Sequence, residues 1–197
     1  MLAVTKTRPG LSRGFTLIEL MVTIAIVSIL GMVAVPSFVA FQRNSELTGA
    51  ANSLLAAVNM ARSEAMKRNL RVVVVPFSGT SWGTGWTVFA DVSRAGILSA
   101  TDEIVAQRDS PLPSYFAAPS GTGNAAASAT GGPYIMFDGS GFATSRTGGS
   151  GNLSIKFNRT DDTSLKQTRV LVIAPTGRAR ICTPASASDA NCGANAS

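Results

Sequence analysis

Residues 15–40 read FTLIELMVTIAIVSILGMVAVPSFVA, and this stretch decides the fold. Between Phe15 and Gln42 the only charged side chain is Glu19. The run is 26 residues long, against the roughly 20 that a membrane-spanning helix needs. It also outruns the apolar region of an ordinary secretory signal, about 7–15 residues. No small-residue cleavage site follows it; Gln42 and Arg43 open a longer helical pattern instead. Lys6, Arg8 and Arg13 precede it. Positive charge ahead of an apolar segment predicts a cytoplasmic N-terminus and a translocated remainder.

Glu19 breaks the apolar pattern. A carboxylate inside a membrane segment costs about 2.5 kcal/mol or more near the bilayer centre, and less at the interface. Such an acid calls for a cationic partner. Cleavage between Gly14 and Phe15 would create one, the new α-amino group of Phe15. In a helical assembly, Glu19 of one subunit could then pair with the Phe15 amine of a neighbour.

Past the apolar run, Leu47, Ala51, Leu54, Val58, Ala61 and Ala65 recur at alternating spacings of four and three. That is one face of an α-helix. A single long helix is expected from Phe15 to about Asn69, perturbed at Pro36 because proline removes a backbone donor. The small residues of the stripe let a sheet approach closely.

Beyond the helix the period changes to that of strands. Arg71–Pro76, Trp86–Ala90, Tyr134–Asp138, Leu153–Asn158, Thr168–Ala174 and Arg180–Thr183 are rich in Val, Ile, Phe and Trp and bounded by glycine or proline. Ile104–Arg108 and Tyr115–Ala117 are weaker candidates. Ser120–Gly132 has no periodicity and reads as a mobile loop; Gly148–Gly151 reads as a turn. The expected class is α+β, a long N-terminal helix packed on a mostly antiparallel sheet.

Composition narrows the chemistry. Histidine is absent, which removes the commonest general acid–base and the commonest zinc ligand. Two cysteines cannot by themselves build a tetrahedral thiolate site. Cys182 and Cys192, with nine residues between them, read as one disulfide if the domain is exported. The acid pairs Asp102-Glu103 and Asp161-Asp162 sit near turn-forming residues, and adjacent side chains of a strand point to opposite faces. Asp138-Gly139-Ser140-Gly141 lacks a full calcium ligand series. No enzyme activity, cofactor or metal is expected.

Arg13-Gly14-Phe15-Thr16-Leu17-Ile18-Glu19 resembles the prepilin peptidase site of type IV pilins and type II secretion pseudopilins. The resemblance implies cleavage after Gly14, methylation of Phe15, a role for Glu19 in assembly and a helix kink at Pro36. Ala61-Arg62-Ser63-Glu64-Ala65, Gly85-Trp86-Thr87-Val88-Phe89, Phe137-Asp138-Gly139 and Thr176-Gly177-Arg178-Ala179-Arg180 are similar to GspH/FimT-type minor pilins. The implied organisation is a leader at 1–14, a transmembrane or filament-core helix at 15–40 and its amphipathic continuation at 41–69. A periplasmic β-rich domain with a C-terminal disulfide loop would fill 70–197. The implied partners are prepilin peptidase, the inner membrane and other pilins or pseudopilins. The implied role is that of a minor pilin of a type IV pilus. A GspH-type minor pseudopilin of a type II secretion system is the alternative.

The net charge of +6 falls when Lys6, Arg8 and Arg13 are set aside, leaving 14 basic against 11 acidic side chains. Arg146, Lys156, Arg159, Lys166, Arg169, Arg178 and Arg180 concentrate what remains, opposed over that stretch only by Asp161 and Asp162. Arg178 and Arg180, two apart in an extended segment, share a face, and paired guanidinium forks suit phosphate oxygens. The resemblance associates a Gly-Arg-x-Arg segment with DNA binding during natural transformation. Lys156, Arg159, Lys166 and Arg169 would extend that surface. A solvated edge strand, or arginines facing a neighbouring subunit, remain open readings of the same residues.

Overall fold

The computed structural model describes residues 14–117, 119–126 and 128–193. The greater part of the expected leader, with Lys6, Arg8 and Arg13, lies outside the described residues. One helix, α1, spans Leu17–Arg68 and carries Pro36 inside it. By contacts the chain divides at Arg43 into two units.

The first unit is the apolar part of α1. Its large side chains, from Phe15 and Leu17 to Phe38 and Phe41, are exposed. None of its most apolar stretch is buried within the chain. In water such a surface would be strongly unfavourable, so it belongs against lipid or other apolar helices.

The second unit begins at Asn44 and is built around the rest of α1. Leu47, Ala50, Ala51, Leu54, Ala57, Val58, Ala61 and Ala65 are all buried, so the stripe read from the sequence is the face that packs. The helix ends in an asparagine cap. Asn69 takes φ 50° and the Leu70 amide donates to the Ala65 carbonyl at 3.3 Å, the left-handed closure that satisfies a terminal carbonyl.

Among the described residues nine antiparallel strands follow: β1 Val72–Pro76, β2 Trp86–Ala90, β3 Glu103–Arg108, β4 Ser120–Gly121, β5 Ile135–Phe137, β6 Ala143–Thr144, β7 Leu153–Asn158, β8 Thr168–Ile173 and β9 Ala179–Cys182. They form two sheets, ordered β3-β2-β1-β5-β6 and β4-β7-β8-β9. The main core joins the helix stripe to the inner faces of both sheets, through Val72, Val74, Val88 and Phe137 of the first and Ile155, Phe157, Leu171 and Ile173 of the second. β1 is buried on both faces, because Val73 packs on the far side with Phe89, Tyr134 and Met136. Its unbroken valine run follows from that. Arg146 closes this outer cluster. Its guanidinium lies 3.8 Å from the Tyr134 ring centroid and donates to the carbonyls of Gly96 and Thr130.

Ser120–Gly132 departs from the loop expectation. It contributes β4, paired to β7, and a 3-10 turn at Gly123–Ala125. Ala125 is fully buried, and its carbonyl accepts the Trp82 indole N–H at 2.9 Å. Small residues are needed here because a Cβ on Gly121 would collide with the Ala125 carbonyl. Tyr115–Ala117 forms no strand, only a bridge from Phe116 to Arg159.

Candidate functional site

The start of α1 is organised by four hydrogen-bonding atoms. The Thr16 amide and hydroxyl both lie 3.2 Å from a Glu19 carboxylate oxygen, and the Glu19 amide donates to the Thr16 hydroxyl at 3.3 Å. This is a reciprocal capping box, with threonine at the cap and glutamate at the third helical position. The Thr-x-x-Glu spacing of residues 16–19 is the sequence signal of this box. Gly14 and Phe15 sit just outside the box, and Phe15 is 85% exposed. The junction expected to be cut is thus an open segment followed at once by a fixed helix start. The helix runs through Pro36 without interruption.

At the other end, three of the four similar motifs converge. Arg62, on α1, donates from Nε to the Gly141 carbonyl at 3.0 Å and from Nη2 to the Thr176 carbonyl at 3.1 Å. Gly177 has φ 79°, and a Cβ there would strike the Gly141 carbonyl. Asp138 holds the β5–β6 turn by accepting the Ser140 and Phe142 amides at 2.9 and 3.0 Å. One arginine therefore ties the helix to the turns of both sheets. Gly177 serves this close approach, beyond any freedom it lends the arginines after it.

The six basic residues assigned to one surface are not brought together. Arg159 is 3% exposed and its guanidinium forks onto Asp161 at 2.8 and 2.6 Å; it is corrected from a surface cation to a buried ion pair. Arg169 points to the helix side of β8, where Nη2 donates to Asn44 at 3.2 Å and Nη1 to the carbonyls of Lys166 and Thr168, both at 2.9 Å. Lys166 is exposed on the turn before β8. Lys156 and Arg180 occupy the outer face of the second sheet, since Lys156 faces Val170, and Arg180 faces Val172, in register. Arg180 is half-buried and donates to the Asn191 carbonyl at 2.6 Å. Arg178 is exposed and makes no side-chain hydrogen bond or ion pair among the described residues.

The tail that receives Arg180 is strapped down by the Cys182–Cys192 disulfide, with Cα atoms 5.9 Å apart. Asp189 orders it by accepting the amides of Ala185 and Asn191, both at 2.9 Å. Those amides, with the charge of Arg180, hold its carboxyl below the usual aspartate range. Between tail and sheet lies a cleft of about 560 Å³ lined by Ser120, Thr122, Ser154, Lys156 and Ser186.

The acidic pairs are engaged locally. Asp102 accepts from Ser93 and Ser99, and Glu103 from Arg68 at 2.6 Å. Among the described residues, no group of three or more His, Cys, Asp or Glu is placed to hold a metal ion.

An exposed apolar helix segment, capped beside an open junction and continued under two antiparallel sheets, defines a pilin-type subunit. Residues 50–177 match the family described as type II transport protein GspH, and residues 11–35 match the prokaryotic N-terminal methylation motif. The chain is a type IV pilin-like protein of the GspH family. Over 52 residues it is 44% identical to the type IV major pilin protein PilA of Myxococcus xanthus strain DK1622, a match covering 26% of this chain and 24% of that protein. Its fold is similar to the crystal structure of the type IV minor pilin FimU of Pseudomonas aeruginosa PAO1. The TM-score is 0.50 at 19% identity, over 72% of this chain and 92% of that one.

Proposed function

We propose that this chain is a minor subunit of a type IV pilus, cut after Gly14 by prepilin peptidase and methylated on Phe15. The observation that carries this reading is the exposed apolar helix beginning two residues after the junction. Residues 15–40 hold the chain in the inner membrane, and residues 70–197 stand on the periplasmic side. Glu19 then guides entry into the filament by meeting a neighbour's Phe15 amine. The rival machine, a type II secretion pseudopilus, is favoured by the description of the matching family, whereas the fold likeness is to a pilus subunit. Mass spectrometry of sheared filaments tests the proposal. A chain starting at methylated Phe15, co-purifying with pili, supports it. An unprocessed start in filaments overturns it, and recovery only with secretion components transfers it to the rival. DNA contact is a second reading, now narrowed to the exposed Arg178 with Arg180 beside it and exposed Lys156 on the same outer face as Arg180.

A further inference from the structure

The second unit carries two surface features at opposite ends of its stretch of α1. The first is a protrusion beside the helix end. Phe142 and Met66 are 52% and 47% exposed. Phe142 follows Gly141, and Arg178 follows Gly177, which packs directly on the Gly141 carbonyl. An exposed ring thus stands next to an exposed arginine that has no side-chain hydrogen bond or ion pair among the described residues. The Arg62 bonds to the Gly141 and Thr176 carbonyls hold both turns on the helix.

The second feature is a groove of about 380 Å³ beside the start of the buried stripe, with Gly49, Ala50, Pro111, Leu112, Pro113 and Phe116 on its walls. A Cβ on Gly49 would meet nothing within 4 Å, so the groove is open over the helix. Asp109 sits between two further wall residues, Arg108 and Ser110, and is exposed with no side-chain partner among the described residues. Arg108 is committed elsewhere, donating to Ser53 with its guanidinium 4.9 Å from the Trp86 ring centroid. Glu46, on the same wall, accepts from Tyr115. The free charge at the groove is therefore negative, and the free charge beside the ring is positive. From Gly49 to Met66 the helix rises about 25 Å, so the ring of one chain cannot reach its own groove.

A second copy supplies what each feature lacks. We infer that Phe142 of one copy seats in the Leu112 groove of the next, with Arg178 meeting Asp109 across the contact. An aromatic anchor beside an arginine is the usual make-up of an interface hot spot, and opposite free charges set its orientation. The two surfaces differ, so the contact is heterologous. Repeated through a rotation that does not close, it builds an open helix rather than a symmetric pair. One ring and one ion pair bury far less than a free-standing complex requires, whereas copies already held close together gain from such a contact. This rests on the filament reading above and deepens it by naming the contact between second units.

The test uses sheared filaments from cells that express two differently tagged full chains. One carries Ser140→Cys beside the ring and the other Ser110→Cys at the groove, and a short bismaleimide is applied. The mixed pair should cross-link severalfold more than either like pair. Phe142→Ser in the Ser140→Cys chain should abolish the product. Arg178→Glu in that chain should reduce it by up to about fivefold, the worth of an exposed ion pair. Asp109→Arg in the other chain should then restore it, which a misfolded variant would not allow. Like pairs that cross-link as well as the mixed pair overturn the inference, as does a product formed only with a different pilin. Filaments that contain both chains without a mixed product overturn it too and leave the filament role intact. Absence of the unsubstituted chain from filaments overturns the filament reading together with the contact.

Discussion

An alanine at position 177 would have to adopt φ near 79° and press its Cβ into the Gly141 carbonyl, beside the Arg62 guanidinium. A left-handed backbone at a non-glycine residue costs on the order of 1–3 kcal/mol before any clash. Gly177→Ala should therefore lower the unfolding free energy from denaturant titration by at least that much, whereas Gly148→Ala, also left-handed but with open space around it, should cost less. Glu19 poses a different question, because it has a local role and a proposed intermolecular one. Glutamine can complete a capping box but carries no charge. Glu19→Gln should thus keep the helix start while reducing recovery in sheared filaments. Thr16→Val should do the reverse, fraying the start by about 1 kcal/mol while leaving recovery near normal. If Glu19→Gln assembles like the wild type, the residue is a cap and the pairing idea fails. Charge counting along the sequence could not make such distinctions. Arg159 and Arg178 look alike as letters, yet one is buried on Asp161 and the other open, because their environments are set by the fold around them.

The helix was legible because its signal is local: an apolar run, then a stripe at alternating spacings of four and three that the structure buries residue for residue. The long strands were legible for the same reason. Ser120–Gly132 was not, since its order comes from partners far along the chain, namely Trp82 for Ala125 and Lys156 for Ser120. Two-residue strands such as β4 and β6 have too few residues to show a period. The C-terminal tail is the other element held from a distance. Its disulfide closes a loop with a sequence separation of 10, and the chain-entropy argument assigns such a loop about 2–3 kcal/mol. Cys182→Ser with Cys192→Ser should lower stability by up to that amount and speed exchange in residues 184–193. Unchanged stability and exchange would mean that the tail is held by Arg180 and Asp189 alone. The Asp189 contribution has a defined sign. Its carboxyl titrates lower when folded than unfolded, so the stability it adds is present above about pH 4 and is lost as pH falls through the lowered value.

Across the whole molecule, the fate of the positive charge decides between a plain filament subunit and one that also touches nucleic acid. Lys166 precedes β8 and Arg178 follows the turn at its far end, and a six-residue strand is about 20 Å long. The two cations therefore stand at opposite ends of the second sheet, while Arg159 and Arg169, at the Lys166 end, are committed to Asp161 and Asn44. Any DNA contact would fall to Arg178 and Arg180, with exposed Lys156 on the same outer face as Arg180, and Arg180 would first have to leave the Asn191 carbonyl. Two to three phosphate contacts correspond to a slope of about −2 to −3 in log affinity against log salt for duplex DNA. Binding should accordingly be weak and indifferent to sequence. Replacing both arginines by glutamine should abolish it, while Lys166→Gln leaves it unchanged. A tail freed by Cys182→Ser with Cys192→Ser should bind more tightly, because Arg180 then reaches solvent without losing a partner held in place. A slope steeper than about −4 would require cations beyond Arg178, Arg180 and Lys156 and would contradict the dispersed arrangement. Absence of any shift at low salt would leave Arg178 and Arg180 as contacts for a neighbouring subunit, with the filament role standing by itself.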